Sequence, residues 1–98
     1  METATILATL REHESSLKAR GVRHAALFGS RARGQARADS DIDILVDIDP
    51  AFPMDVFQYI GVVHMIEDLF DGSVDVSNRA AMKPHVGPTA ERDALYAF

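Results

Sequence analysis

Asp41-Ile-Asp-Ile-Leu-Val-Asp-Ile48 alternates acid and aliphatic residue almost without a break. Successive side chains of a strand point to opposite faces, so Asp41, Asp43 and Asp47 share one side while Ile42, Ile44, Val46 and Ile48 share the other. The aliphatic side is predicted to face a core. On the acidic side, Asp41 and Asp43 stand about 6 Å apart, and two negative charges at that distance repel by about 3 kcal/mol at an effective dielectric of about 20. A cation between them relieves the repulsion. Oxygen-rich sites of this kind suit Mg²⁺, which is ordinarily held by a few carboxylates together with phosphates and water.

Upstream, Val22-Arg-His-Ala-Ala-Leu-Phe28 is short and mostly apolar and runs into Gly29, which predicts a buried strand. Gly29-Ser-Arg-Ala-Arg-Gly34 then forms a tight turn into a short helix with Ser30 as its N-cap. Backbone N–H groups and the positive end of that helix would face an anion, so the turn is a candidate phosphate site. Gly29 leaves room for close approach and Ser30 can donate a hydrogen bond. Arg31, Arg33 and Arg37 add positive charge in an otherwise acidic chain. Arg31 and Arg33 are equally explained as ordinary surface charges, and Arg37 is better explained so. Gln35 to Ser40 is predicted as a polar loop, with Asp39 as a turn residue.

Downstream, Asp71-Gly72 signals a turn before Val74-Asp-Val-Ser77, a second alternating strand. If this strand lies beside the first acidic one, Asp75 becomes a third carboxylate. Three acids could then hold two metal ions, one activating an acceptor oxygen and one stabilising leaving pyrophosphate. Asp47 and Asp49 lie further along, near Pro50, and read as solvated loop residues. His13, His24, His64 and His85 show no paired ligand spacing and read as structural or surface residues.

The helices follow from period. Ile6, Leu7, Leu10 and Leu17 predict a first helix over Thr3 to Arg20, stopped by Gly21. Met54 to Phe70 reads as the long core helix, with Val56, Ile60, Val63 and Phe70 on one side and Phe57, Ile66 and Leu69 widening the stripe. Tyr59 and Met65 are left as an excess that could form a partner surface. Pro84 and Gly87-Pro88 interrupt any continuous helix, after which Thr89 is predicted to cap a final short helix through Phe98. Together these elements give an α/β (α+β) chain, a small mixed β-sheet flanked by helices.

The 98 residues suit one domain, residues 1–98, that buries only about 60 to 65% of its unfolded surface. With no second wall, an enzyme of this size needs its acceptor to arrive on a partner. Hydrophobic residues at 47% and charged residues at 26% argue for a folded chain. The net charge of -5 disfavours non-specific binding to nucleic acid, so direct nucleic-acid binding is not expected. Absence of cysteine excludes disulfides and thiolate metal sites. No apolar run approaches the roughly 18 residues of a membrane span and the N-terminus lacks signal-peptide character, so a cytoplasmic protein is expected.

The run Gly29-Ser-Arg-Ala-Arg-Gly34 followed by Ser40-Asp-Ile-Asp-Ile-Leu-Val46 resembles the Gly-Ser, Asp-x-Asp signature of the polymerase-β-like nucleotidyltransferase superfamily. It is most similar to the minimal, MntA-like branch, and the likeness continues through Asp71-Gly-Ser-Val-Asp-Val76, Met82-Lys-Pro84 and Ala94-Leu-Tyr-Ala97. The resemblance implies that fold, with Gly29 and Ser30 at the nucleotide phosphates and Asp41, Asp43 and Asp75 at the metals. It also implies ATP as substrate, and a partner, a HEPN-domain ribonuclease toxin whose tyrosine receives AMP, with this chain as antitoxin. One departure is Gly87-Pro88, where related chains continue a basic helix.

A lone Asp-x-Asp is also what a solvated strand face looks like; the upstream Gly-Ser turn and the downstream strand acid favour a site. The rival reading is an antitoxin that neutralises by binding alone, with a silent nucleotide site. Transfer to a small molecule such as an aminoglycoside would need an additional domain. Assembly as a homo- or hetero-oligomer is left open, as are the base preference and the number of AMP groups transferred.

Overall fold

The computed structural model describes residues 2–29, 41–81 and 94–98. Within them the order is α1 (Thr3–Glu12), α2 (Glu14–Ala19), β1 (Val22–Phe28), β2 (Ile42–Ile48), α3 (Val56–Glu67), β3 (Val74–Asn78), a 3-10 turn over Arg79–Ala81, and β4 (Leu95–Tyr96). The four strands form one mixed sheet in the order β3-β2-β1-β4. β1 runs antiparallel to β2 and to β4, whereas β2 and β3 are parallel.

One face of the sheet carries the main core. Ala25 and Leu27 of β1 and Ile42, Ile44 and Val46 of β2 pack with Ile6, Leu10 and Leu17 from the first two helices and Val62 and Ile66 from α3. The aliphatic side of β2 is thus buried, as its alternation predicted. The acid-bearing side is less open than the sequence suggests, because Leu45 lies on it and is buried, beside its buried partner Ala26.

β1 could not keep both ends in the core by strict alternation, since Val22 and Ala25 are three apart. A bulge solves this. Val22 pairs with Ile48 and His24 with Asp47, so Arg23 is the extra residue. Arg23 turns outward and donates from Nη2 and Nε to Asp47 Oδ2, at 2.8 and 3.2 Å. Asp47 is therefore an ion-paired strand residue and not the solvated loop residue that its nearness to Pro50 suggested. Asp49 does occupy the turn, its Oδ1 accepting from Ala51 N at 2.9 Å.

The predicted helix over Thr3 to Arg20 is two helices broken at His13. His13 N–H donates to Leu10 O at 3.1 Å, closing a tighter turn, and its ring Nδ1 lies 2.9 Å from Thr9 O. Gly21 then ends α2 with φ +95, and a Cβ there would come within 2.6 Å of the Phe52 ring.

α3 is shorter than Met54 to Phe70. Asp55 sets its start through a capping box, accepting from Gln58 N–H at 2.8 Å while Gln58 Oε1 accepts from Asp55 N–H at 2.9 Å. Its buried residues are Val62 and Ile66, and Tyr59 and Met65 pack inward against them. Val56 (63%), Phe57 (80%) and Ile60 (43%), assigned to the core stripe from sequence, are the exposed ones. The helix is apolar on all sides, so its period could not choose a phase; contacts with β2 and β3 did.

The predicted terminal helix through Phe98 is also corrected. Residues 89–93 fall outside the described residues, but Leu95–Tyr96 is a strand that completes the edge of β1. Ala97 N–H donates to Ala25 O at 2.8 Å, and Arg11 Nε of α1 donates to Ala97 O at 2.8 Å. The unpaired edge of β1 outweighs local helix propensity. The predicted Ser30-capped turn and helix, the Gln35 to Ser40 loop and the Gly87-Pro88 departure lie outside the described residues. No helix among the described residues is long and apolar enough to cross a membrane.

Candidate functional site

Parallel pairing of β2 with β3 sets Asp43 beside Asp75 as direct register partners. Register partners on adjacent strands project to the same face, so the two carboxylates stand side by side on the face opposite the main core. Val74 and Val76 confirm the phase of β3 by packing against that core. Asp41 lies one residue before β2, exposed, on the side that alternation gives Asp43.

Across the other edge of β2, Asp43 pairs with Phe28, the last residue of β1, and Gly29 follows at once. Gly29 has φ +78, a left-handed conformation that side chains rarely adopt. A Cβ built at Gly29 would collide with Asp43 Oδ2 and lie 3.2 Å from its Cγ and 3.4 Å from its Cβ. The space beside Gly29 is filled by the Asp43 carboxylate. From sequence, glycine was needed to admit a phosphate; the structure adds that it admits the protein's own acid. Phe28, Asp43 and Asp75 thus form one row across three strands, at the end of β1 where Gly29 follows.

Tyr59 of α3 has a displaced titration. Partial burial raises its phenol above 10.0, and the negative charge of Asp75 raises it further.

Among the described residues, no group of three or more acids, histidines or cysteines is gathered closely enough to cage a metal. What the fold supplies is a carboxylate pair in register, Asp43 and Asp75, with Asp41 at the strand entrance. Ser30, Arg31, Arg33 and Arg37 lie outside the described residues. Phe28 was not singled out from sequence; only the pairing of β1 with β2 brings it to the acids.

Residues 10–97 match the nucleotidyltransferase domain family. Over 92 residues the chain is 34% identical to the protein adenylyltransferase MntA of Thermococcus cleftensis, covering 93% of this chain and 91% of that one. A solved structure assigned as a minimal nucleotidyltransferase superposes with a TM-score of 0.70 at 27% identity, covering 97% of this chain and 95% of that one. A toxin–antitoxin crystal structure with AMP-PNP superposes with a TM-score of 0.66 at 19% identity, over 90% of this chain and 72% of that one, a likeness of fold.

Proposed function

This chain belongs to the nucleotidyltransferase domain family, and on that premise we propose that it is a magnesium-dependent protein adenylyltransferase. It transfers AMP from ATP to a tyrosine hydroxyl of a HEPN-domain toxin and so acts as that toxin's antitoxin. The observation that carries this reading is the row at the sheet end, where Asp43 and Asp75 are register partners and Gly29 makes room for the Asp43 carboxylate. The MntA relative, named as a protein adenylyltransferase, and the toxin–antitoxin structure with AMP-PNP support the choice of chemistry and partner.

The donor set fits magnesium. Mg²⁺ is usually held by one or two carboxylates plus substrate phosphates and water, so a register pair suits it without a closed protein cage. Asp43 and Asp75, with Asp41, are the residues that would hold the metal, which supplies charge neutralisation at the phosphates and acidifies the acceptor hydroxyl. Gly29 and Ser30, with Arg31 and Arg33, would receive the nucleotide phosphates.

In the reaction, the tyrosine oxygen forms a bond to the α-phosphorus of ATP and the bond from that phosphorus to the bridging oxygen breaks. Pyrophosphate leaves with the electron pair, and the phenol proton passes to solvent. The chain's share of catalysis is placement and charge: a carboxylate pair in register on paired strands, beside a glycine turn that leaves space for one of the acids.

Incubation with labelled ATP, Mg²⁺ and a HEPN-domain toxin should label that protein, and Asp43→Asn or Asp75→Asn should abolish the labelling. Absence of labelling by the unaltered chain overturns the reading. A second reading, suggested by the small size of the chain, is neutralisation by binding alone. It is distinguished by an Asp43→Asn, Asp75→Asn chain that still neutralises the toxin.

A further inference from the structure

The acid-bearing face continues beyond the acids. After the row Phe28, Asp43, Asp75 comes a row of Tyr96, Ala26, Leu45 and Ser77, and then His24 beside Asp47. Four strand positions separate Asp43 from Asp47, a span of about 13 Å. There the face opens into a groove of about 560 Å³, lined among the described residues by His24, Asp47, Arg79, Tyr96 and Phe98.

The groove wall is built to stay in place. Tyr96 is 42% exposed, yet its strand is held by the Ala97 N–H bond to Ala25 O and by Arg11 Nε on Ala97 O. Its ring meets His24 edge-on at 6.1 Å between centroids, and the His24 ring Nδ1 lies 3.3 Å from Phe98 O. An aromatic side chain exposed on an immobilised backbone loses little conformational freedom on binding, and tyrosine, phenylalanine and arginine are residues that protein interfaces favour. Asp47 is occupied by Arg23, so the groove is not a second acid site.

We propose that this groove docks the acceptor polypeptide, taking side chains about four residues from the tyrosine that receives AMP. The proposal rests on the transfer reading above. An extended chain covers about 3.3 to 3.6 Å per residue, so about four residues bridge the span from the acids to the groove.

The test uses the full chain with the HEPN-domain toxin that it labels as acceptor. Tyr96→Ser is expected to raise the KM for that acceptor at least tenfold while the affinity for Mg·ATP stays within twofold, and Tyr96→Phe is expected to restore most of the loss. Equal urea midpoints for both variants separate docking from folding. A photo-crosslinking benzoylphenylalanine at position 96, in an Asp43→Asn chain that cannot turn over, should join the acceptor within a few residues of its modified tyrosine. An unchanged acceptor KM overturns the proposal, and so does a fall in ATP affinity, which would give the groove to the nucleotide base. Failure of the unaltered chain to transfer AMP at all is a different result and counts against the transfer reading instead.

Discussion

Gly29→Ala tests whether the turn glycine serves the Asp43 carboxylate. At φ +78 an alanine costs about 1 to 2 kcal/mol in backbone strain alone. The new Cβ also meets Asp43 Oδ2, with Cγ at 3.2 Å, so the carboxylate must retreat by on the order of 1 Å to restore van der Waals contact. Driving that side chain off its rotamer adds about 1 kcal/mol. The expected total is a loss of about 2 to 3 kcal/mol, read from urea denaturation. In an Asp43→Ala background the clash is gone, and Gly29→Ala should cost only its backbone strain, leaving a coupling of about 1 kcal/mol in the double-mutant cycle. AMP transfer by the single variant should fall about a hundredfold, since a misplacement near 1 Å at reacting groups has that effect. If Gly29→Ala costs the same in both backgrounds, the two residues are not coupled and the argument fails.

Three further outcomes are expected. Ile66→Ala should destabilise by about 2 to 5 kcal/mol because it empties a fully buried site, whereas Phe57→Ala on the same helix should stay within about 0.5 kcal/mol; similar values for both in urea unfolding would contradict the observed facing of α3. Tyr59 favours its neutral phenol in the folded chain through burial first and the Asp75 charge second. Its contribution is complete below 10.0 and is lost as pH rises through the higher folded value, so Tyr59→Phe should flatten the alkaline fall in stability, followed by denaturation at stepped pH. Arg11→Ala removes the donor to Ala97 O and should speed hydrogen exchange at the Ala97 amide while leaving exchange in β2 unchanged; protection retained at Ala97 would show that the clamp is dispensable.

The alternation Asp41 to Ile48, the apolar run Val22 to Phe28 and the Val-Asp-Val of β3 were legible because strand geometry sends neighbours to opposite faces whatever surrounds them. Gly21 and Gly29 were legible as stops for the same local reason, a backbone conformation that other residues avoid. With the resemblance to nucleotidyltransferases, those signals sufficed to name Asp43 and Asp75 as neighbours before any coordinates. Local pattern was silent wherever several placements satisfied it equally. Asp47 looked like a loop acid until the Arg23 bulge gave it a partner, and α3 presented apolar residues on every side, so only contact with the sheet turned Val62 and Ile66 inward and left Phe57 outside. The terminal Leu95–Tyr96 became a strand because β1, distant in sequence, had an edge to fill. Strand alternation and glycine stops are thus written in the sequence by local backbone geometry; the facing of α3, the terminal strand and the fit of Gly29 against Asp43 exist only once segments far apart in the chain are packed together.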